Sequence, residues 1–181
     1  MLRTSSLPMA SRCLRSSPLL ALSTKENIEA DRKNMALVLS NWKQKQGSAK
    51  PLLVIINTSG GGHRSATFTM SVLRELDSIT KGSIMRKTFL INGASGGMIG
   101  AAYFRELYLR KQKGKNINLQ NPQYVDDIAG DLLNPLFTSF FARDLISPAQ
   151  KFSVGPYRYV KDRGYAFEEK LNSNTRGYLD K

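Results

Sequence analysis

The chain predicts an α/β fold with a mainly parallel sheet, because a short β-branched apolar run leads through a glycine segment into a helical period twice in succession. The runs are Leu52 to Ile56 and Thr88 to Asn92, and the glycine segments are Gly60 to Gly62 and Gly93 to Gly97. At 181 residues, with an apolar fraction of 41%, the chain is long enough for one domain with a hydrophobic core.

Residues 1–24 contain Arg3, Arg12 and Arg15, many Ser and no acidic residue. This composition suits a disordered or targeting-like extension, and Arg12 and Arg15 interrupt any secretory h-region. From residue 25 to 49, Ile28, Met35, Leu39 and Trp42 fall near a helical period among charges, and Gly47 follows. An amphipathic helix and linker are expected there.

The core should begin near Lys50 and occupy residues 50–181. Leu52 to Ile56 reads as a buried parallel strand, bounded by Pro51 and by Asn57 and Thr58. Phe68, Val72, Leu73 and Leu76 then recur at helical spacing up to Asp77. Phe89, Leu90 and Ile91 mark the second strand, and Ile99, Tyr103, Leu107 and Tyr108 the helix after it. Tyr124, Ile128, Leu132 and Leu133 suggest a helix stopped near Pro135, followed by a short apolar helix or turn over Leu136 to Phe141 that should pack on the core. Pro148, Gly155 and Pro156 read as loop breakers before a last helix over Tyr165 to Leu171.

Lys and Arg number 27 against 14 acidic residues, a net charge of +13. This excess favours anionic partners, including phospholipid headgroups. The cations are scattered, so no specific nucleic acid is expected. The single Cys13 allows no intramolecular disulfide and no zinc cluster, and no metal or cofactor is implied. No run approaches the roughly 20 apolar residues of a membrane span, so a cytoplasmic or peripheral location is expected.

Gly93-Ala94-Ser95-Gly96-Gly97 fits a nucleophile elbow, a strained strand-to-helix turn that lifts the Ser95 hydroxyl above the sheet. The alternative is a tight turn in which Ser95 caps the helix. Gly60, Gly61 and Gly62 would let backbone N–H groups converge on an oxyanion, with Arg64 holding the loop or adding positive potential. Neighbouring parallel strands would bring both loops to one sheet edge. Neither segment has the lysine and Ser/Thr of a P-loop. His63, the only histidine, adjoins the glycine loop and reads as a solvent-facing residue rather than a base. Asp144 and Asp162 have basic neighbours and read as salt-bridged loop residues. Phe140, Phe141, Phe152, Tyr157, Tyr159, Tyr165 and Phe167 could line an acyl pocket or belong to ordinary packing.

Ser59-Gly60-Gly61-Gly62-His63-Arg64, the elbow around Ser95, and the intervening Val72-Leu73-Arg74-Glu75-Leu76 together resemble the patatin-like phospholipases, bacterial members most closely. The resemblance covers about Lys50 to Leu109, with His63 standing where a small residue is usual. It implies a three-layer α/β/α fold, here truncated, and a Ser-Asp dyad that hydrolyses lipid or other acyl esters. Ser95 would form the acyl-enzyme while amides around Gly61 and Gly62 hold the oxyanion. The dyad Asp belongs to a downstream Asp-Gly motif that this chain does not contain, so a noncatalytic binding remnant is the alternative.

Overall fold

The computed structural model describes residues 22–146 and 150–179. Most of the expected N-terminal extension, Cys13, Pro148 and Asp180 lie outside the described residues, as does the side chain of Asp144. The chain divides into two units, residues 1–52 and 53–181.

In the first unit, α1 spans Lys25–Gln46. Thr24 caps it by accepting from the Asn27 amide, and Gly47 closes it at φ 62°. The helix is where the periodicity places it. Ile28, Met35 and Leu39 are nevertheless exposed, and α1 buries no residue.

The second unit begins with β1 (Val54–Thr58) and continues through α2 (Gly62–Ile79), the single turn α3 (Ser83–Lys87), β2 (Thr88–Gly93) and α4 (Ser95–Gln112). β1 and β2 pair in parallel, with Ile55 opposite Leu90 and Ile56 opposite Ile91. This confirms the α/β class and both strand–loop–helix units. Side chains alternate across a strand, so the register sends the two pairs to opposite faces. Ile56 and Ile91 pack on a core built by Met70 and Leu73 of α2 and Phe104 and Leu107 of α4. Ile55 and Leu90 remain 49% and 46% exposed. The first strand is thus not buried on both sides, because among the described residues helices cover only one face.

The close crossing of α2 and α4 determines this layer. A Cβ at Gly96 would collide with the Gly62 carbonyl, one at Gly97 with that of Ser59, and one at Gly100 with that of Ala66. The three glycines lie on one side of α4 and let the backbones approach to a distance that any side chain would prevent. Below the crossing, Tyr103, Phe104 and Leu107 are fully buried.

The remainder wraps this layer. α5 (Gln123–Ala129) is followed by α6 (Leu133–Ser139), a π-helical turn (Phe140–Ile146), the antiparallel hairpin β3 (Lys151–Val154) and β4 (Tyr157–Val160), and α7 (Arg163–Asn174). Pro135 does not stop a helix. It sits in the first turn of α6, where no intrahelical acceptor awaits its missing N–H, and Asp131 receives the Leu133 and Asn134 amides. The aromatic stretch after it does not pack on the core, since Phe137 and Phe141 are 62% and 60% exposed. Gly155 and Pro156 make the hairpin turn, with Gly155 at φ 55°, rather than a longer loop.

Asp127 of α5 ties the wrap to the core. It accepts from the Tyr103 hydroxyl at 3.2 Å and from Gln123, and pairs with Arg176 at 3.0 Å. Burial, then the adjacent Asp127 charge, pushes the Tyr103 phenol far above its ordinary range. Arg110 of α4 lies 4.9 Å from the Tyr178 ring centre and donates to the Tyr178 carbonyl.

Two consequences can be measured. Gly→Ala inside a helix ordinarily stabilises by up to about 1 kcal/mol, but Gly100→Ala should destabilise by about 1–3 kcal/mol through overpacking against Ala66, read as a lower urea midpoint. Asp77 is buried with Oδ1 unpartnered, and desolvation raises its pKa from 3.8 despite Lys111 and Arg86. A carboxyl whose folded pKa exceeds its unfolded value lowers stability as pH rises through that interval. Asp77→Asn should therefore be more stable than the parent at pH 7, with the gain vanishing as pH falls below 3.8; urea titrations at the two ends of that range decide it.

Candidate active site

Both glycine segments end at one edge of the parallel pair, because β1 and β2 point the same way and stay in register up to Thr58 opposite Gly93. The Ala94 amide donates to the Thr58 carbonyl at 3.3 Å and carries the ladder one step past the strand. A Cβ at Gly93 would overlap the Thr58 hydroxyl, so the strand ends can only pair this closely with glycine there.

Ser95 follows at φ 50°, in the left-handed region. A residue with a side chain is held there at a cost of about 1–2 kcal/mol. The strain has a visible origin. Ala94 is extended at φ −130° while Gly96 and Gly97 are already fixed against Gly62 and Ser59, so the reversal from strand to helix falls on the residue between. Ser95 consequently stands exposed at the head of α4. It does not cap the helix, for the N-cap is Ala94, which supplies no side-chain hydrogen bond.

The first glycine segment lies directly beside it. A Cβ at Gly60 would stand 3.4 Å from the Ser95 Cβ. Gly61 at φ 146° and Gly62 at φ 60° turn the chain into α2 through conformations that L side chains rarely adopt. The loop is fastened by Ser65, whose hydroxyl donates to the Ser59 carbonyl at 2.6 Å. Arg64 is exposed and makes no such bond among the described residues. Gly61, the N-cap of α2, provides no side-chain cap either. Two helix N-termini with uncapped backbone N–H groups thus meet around one serine hydroxyl, an arrangement suited to negative charge.

His63 is not a solvent-facing loop residue. It belongs to α2, is half-buried, and its Nε2–H donates to the Ile128 carbonyl at 2.8 Å, joining α2 to α5. No motif announced this, since the partner lies sixty-five residues away.

Among the described residues no side chain hydrogen-bonds the Ser95 hydroxyl. Asp77 lies near the far end of α2, about 22 Å along its axis from Gly62. Asp127 is engaged by Tyr103, which lies about 12 Å down the axis of α4 from Ser95. Asp131 caps α6 and is held below the usual carboxylate range by the Leu133 and Asn134 amides. Asp162 is not a salt-bridged loop residue but the N-cap of α7, accepting from the Tyr165 amide. Asp126 is exposed on α5. No group of three or more His, Cys, Asp or Glu that could hold a metal occurs among the described residues.

A mostly apolar groove of about 820 Å³ runs between β2 and α4, lined in part by Leu90, Ile91, Met98, Ala102 and Leu109 and also by Arg105 and Glu106. Met98 places one end a single turn from Ser95, and Leu109 lies about 16 Å further along the helix. Neither the hairpin aromatics nor Phe140 and Phe141 line it.

No protein-family model, curated protein or solved structure matches the chain.

The backbone of Ser95 makes a stability prediction independent of chemistry. Replacing it by Gly should relieve the left-handed strain and raise stability by about 1 kcal/mol relative to Ser95→Ala; equal midpoints for the two variants in urea would mean that the turn is unstrained.

Proposed function

We propose that the chain carries the nucleophile and oxyanion half of a serine acyl hydrolase acting on lipid esters, within the patatin-like three-layer arrangement that its motifs resemble. The observation that carries this reading is the left-handed backbone of Ser95 between a parallel strand and a helix, with Gly60 against it. A strained turn is retained at the one place where a hydroxyl would have to be presented above the sheet.

In the proposed reaction the Ser95 oxygen adds to the ester carbonyl. The new oxyanion is met by backbone N–H groups near Gly61 and Gly62, preorganised where charge develops. Collapse of the tetrahedral intermediate expels the alcohol and leaves an acyl-serine, which water hydrolyses to the free acid. A base must take the Ser95 proton. Asp77 lies at the far end of α2, and Asp127, Asp131 and Asp162 are engaged elsewhere, which favours a carboxylate outside the described side chains. The groove that starts one turn from Ser95 favours an acyl chain over a polar substituent.

A second reading, a noncatalytic binding lobe, is favoured by the lack of a described partner for the Ser95 hydroxyl and by the exposed sheet face bearing Ile55 and Leu90. Labelling of the 181-residue chain with a fluorophosphonate separates the two. Labelling that is abolished in Ser95→Ala supports an activated nucleophile. A folded chain that stays unlabelled, with no turnover of a fluorogenic fatty-acyl ester, supports the binding lobe.

A further inference from the structure

The β3–β4 hairpin has two faces of different chemistry. Directly opposed residues of an antiparallel pair share a face, and successive pairs alternate. Phe152 opposite Tyr159 and Val154 opposite Tyr157 therefore form one face, while Lys151 opposite Val160 and Ser153 opposite Arg158 form the other. The first is apolar and aromatic. The second carries both cations of the ribbon.

Among the described residues, ring contacts reach only the base of the apolar face. Phe152 packs against Tyr165 of α7, with ring centres 4.9 Å apart, and against Tyr159 at 5.5 Å. Beyond that anchor, Val154 and Tyr157 project on either side of the Gly155-Pro156 turn, 58% and 65% exposed. Cations also continue along the adjoining segment, where Lys161 lies over the Tyr165 ring and Arg163 over that of Phe140. From Lys151 to Lys161 there are three cations and no carboxylate, and Asp162 just beyond is occupied as a helix cap. Glu168 and Glu169 of α7 line a pocket with Phe152 and Tyr165, at the base of the apolar face.

We propose that this hairpin docks the protein on an anionic lipid bilayer, with Val154 and Tyr157 entering the headgroup zone and Lys151, Arg158 and Lys161 meeting lipid phosphates. Charge complementarity selects the bilayer, since the cations have almost no acidic counterpart on the element that presents them. Size argues the same way. A two-stranded ribbon about 13 Å long is too small a face to supply the roughly 800 Å² per partner of a standard protein interface, whereas a membrane surface requires no matching contour. Tyr suits this boundary because its ring is apolar and its hydroxyl is wet. The proposal is independent of the role of Ser95.

Sedimentation with sucrose-loaded vesicles tests it. The full chain should partition onto phosphatidylglycerol-containing vesicles and hardly onto pure phosphatidylcholine. A cation near an anionic surface contributes about fivefold in partitioning, so the double variant Lys151→Ser, Arg158→Ser should lose about 25-fold. Val154→Ser with Tyr157→Ser should lose roughly tenfold at unchanged charge. Circular dichroism of each variant guards against misfolding, and Tyr157→Trp provides a second readout, with brominated lipid expected to quench its emission relative to the background from Trp42 in a Tyr157→Phe control. Equal binding to both vesicle types, parental partitioning of the double variants, or an unquenched Trp at 157 would overturn the proposal. So would binding to a single-stranded RNA oligonucleotide that depends on Lys151 and Arg158 and outcompetes the vesicles.

Discussion

The closeness of α2 and α4 is the constraint on which the rest of the second unit depends. Three glycines of α4 face three carbonyls, those of Ser59, Gly62 and Ala66, and each contact tolerates a hydrogen where it would not tolerate a methyl group. Because the helices meet at their N-terminal turns, the strands that feed them must also end together. The same approach that buries Met70 and Phe104 in one core below thus brings the two glycine segments side by side above. Packing and site geometry are one solution here. The left-handed Ser95 is its residue, since the chain must reverse between an extended Ala94 and an immobile Gly96.

Much of this could be read in the sequence because it is local. The pentapeptide around Ser95 and the three glycines before α2 specify turn conformations by residue type, and the apolar runs next to them specify strands that must enter those turns. What periodicity left undecided was coverage. Leu52 to Ile56 is uniformly apolar, as a strand buried on both sides would be, yet Ile55 faces outward and only its neighbour Ile56 meets helices. A continuous run cannot reveal which of its faces is covered, because that depends on elements far away in the chain.

The C-terminal third was less legible for a different reason. Proline and glycine were weighed as breakers, although Pro135 begins a helix and Gly155-Pro156 closes a hairpin. The signal for that hairpin was present in the alternation of Phe152, Val154, Tyr157 and Tyr159, but each strand has only four residues, too few for a period to stand out. His63 and Asp127 illustrate the other limit. Their partners, Ile128, Tyr103 and Arg176, lie twenty-four to sixty-five residues away, and a single sequence contains no trace of such pairings.

The buried Asp127 also bears on how the second unit comes apart. Its carboxylate is shared by α4, its own helix α5 and the stretch after α7, through Tyr103, Gln123 and Arg176. Peeling away the chain end alone would leave a desolvated negative charge facing a phenol, a state more costly than either the closed clasp or full exposure. Fraying of the last residues is therefore coupled to the release of α5. Amides on both sides of the clasp should exchange with solvent as one cooperative block rather than progressively inward from the terminus.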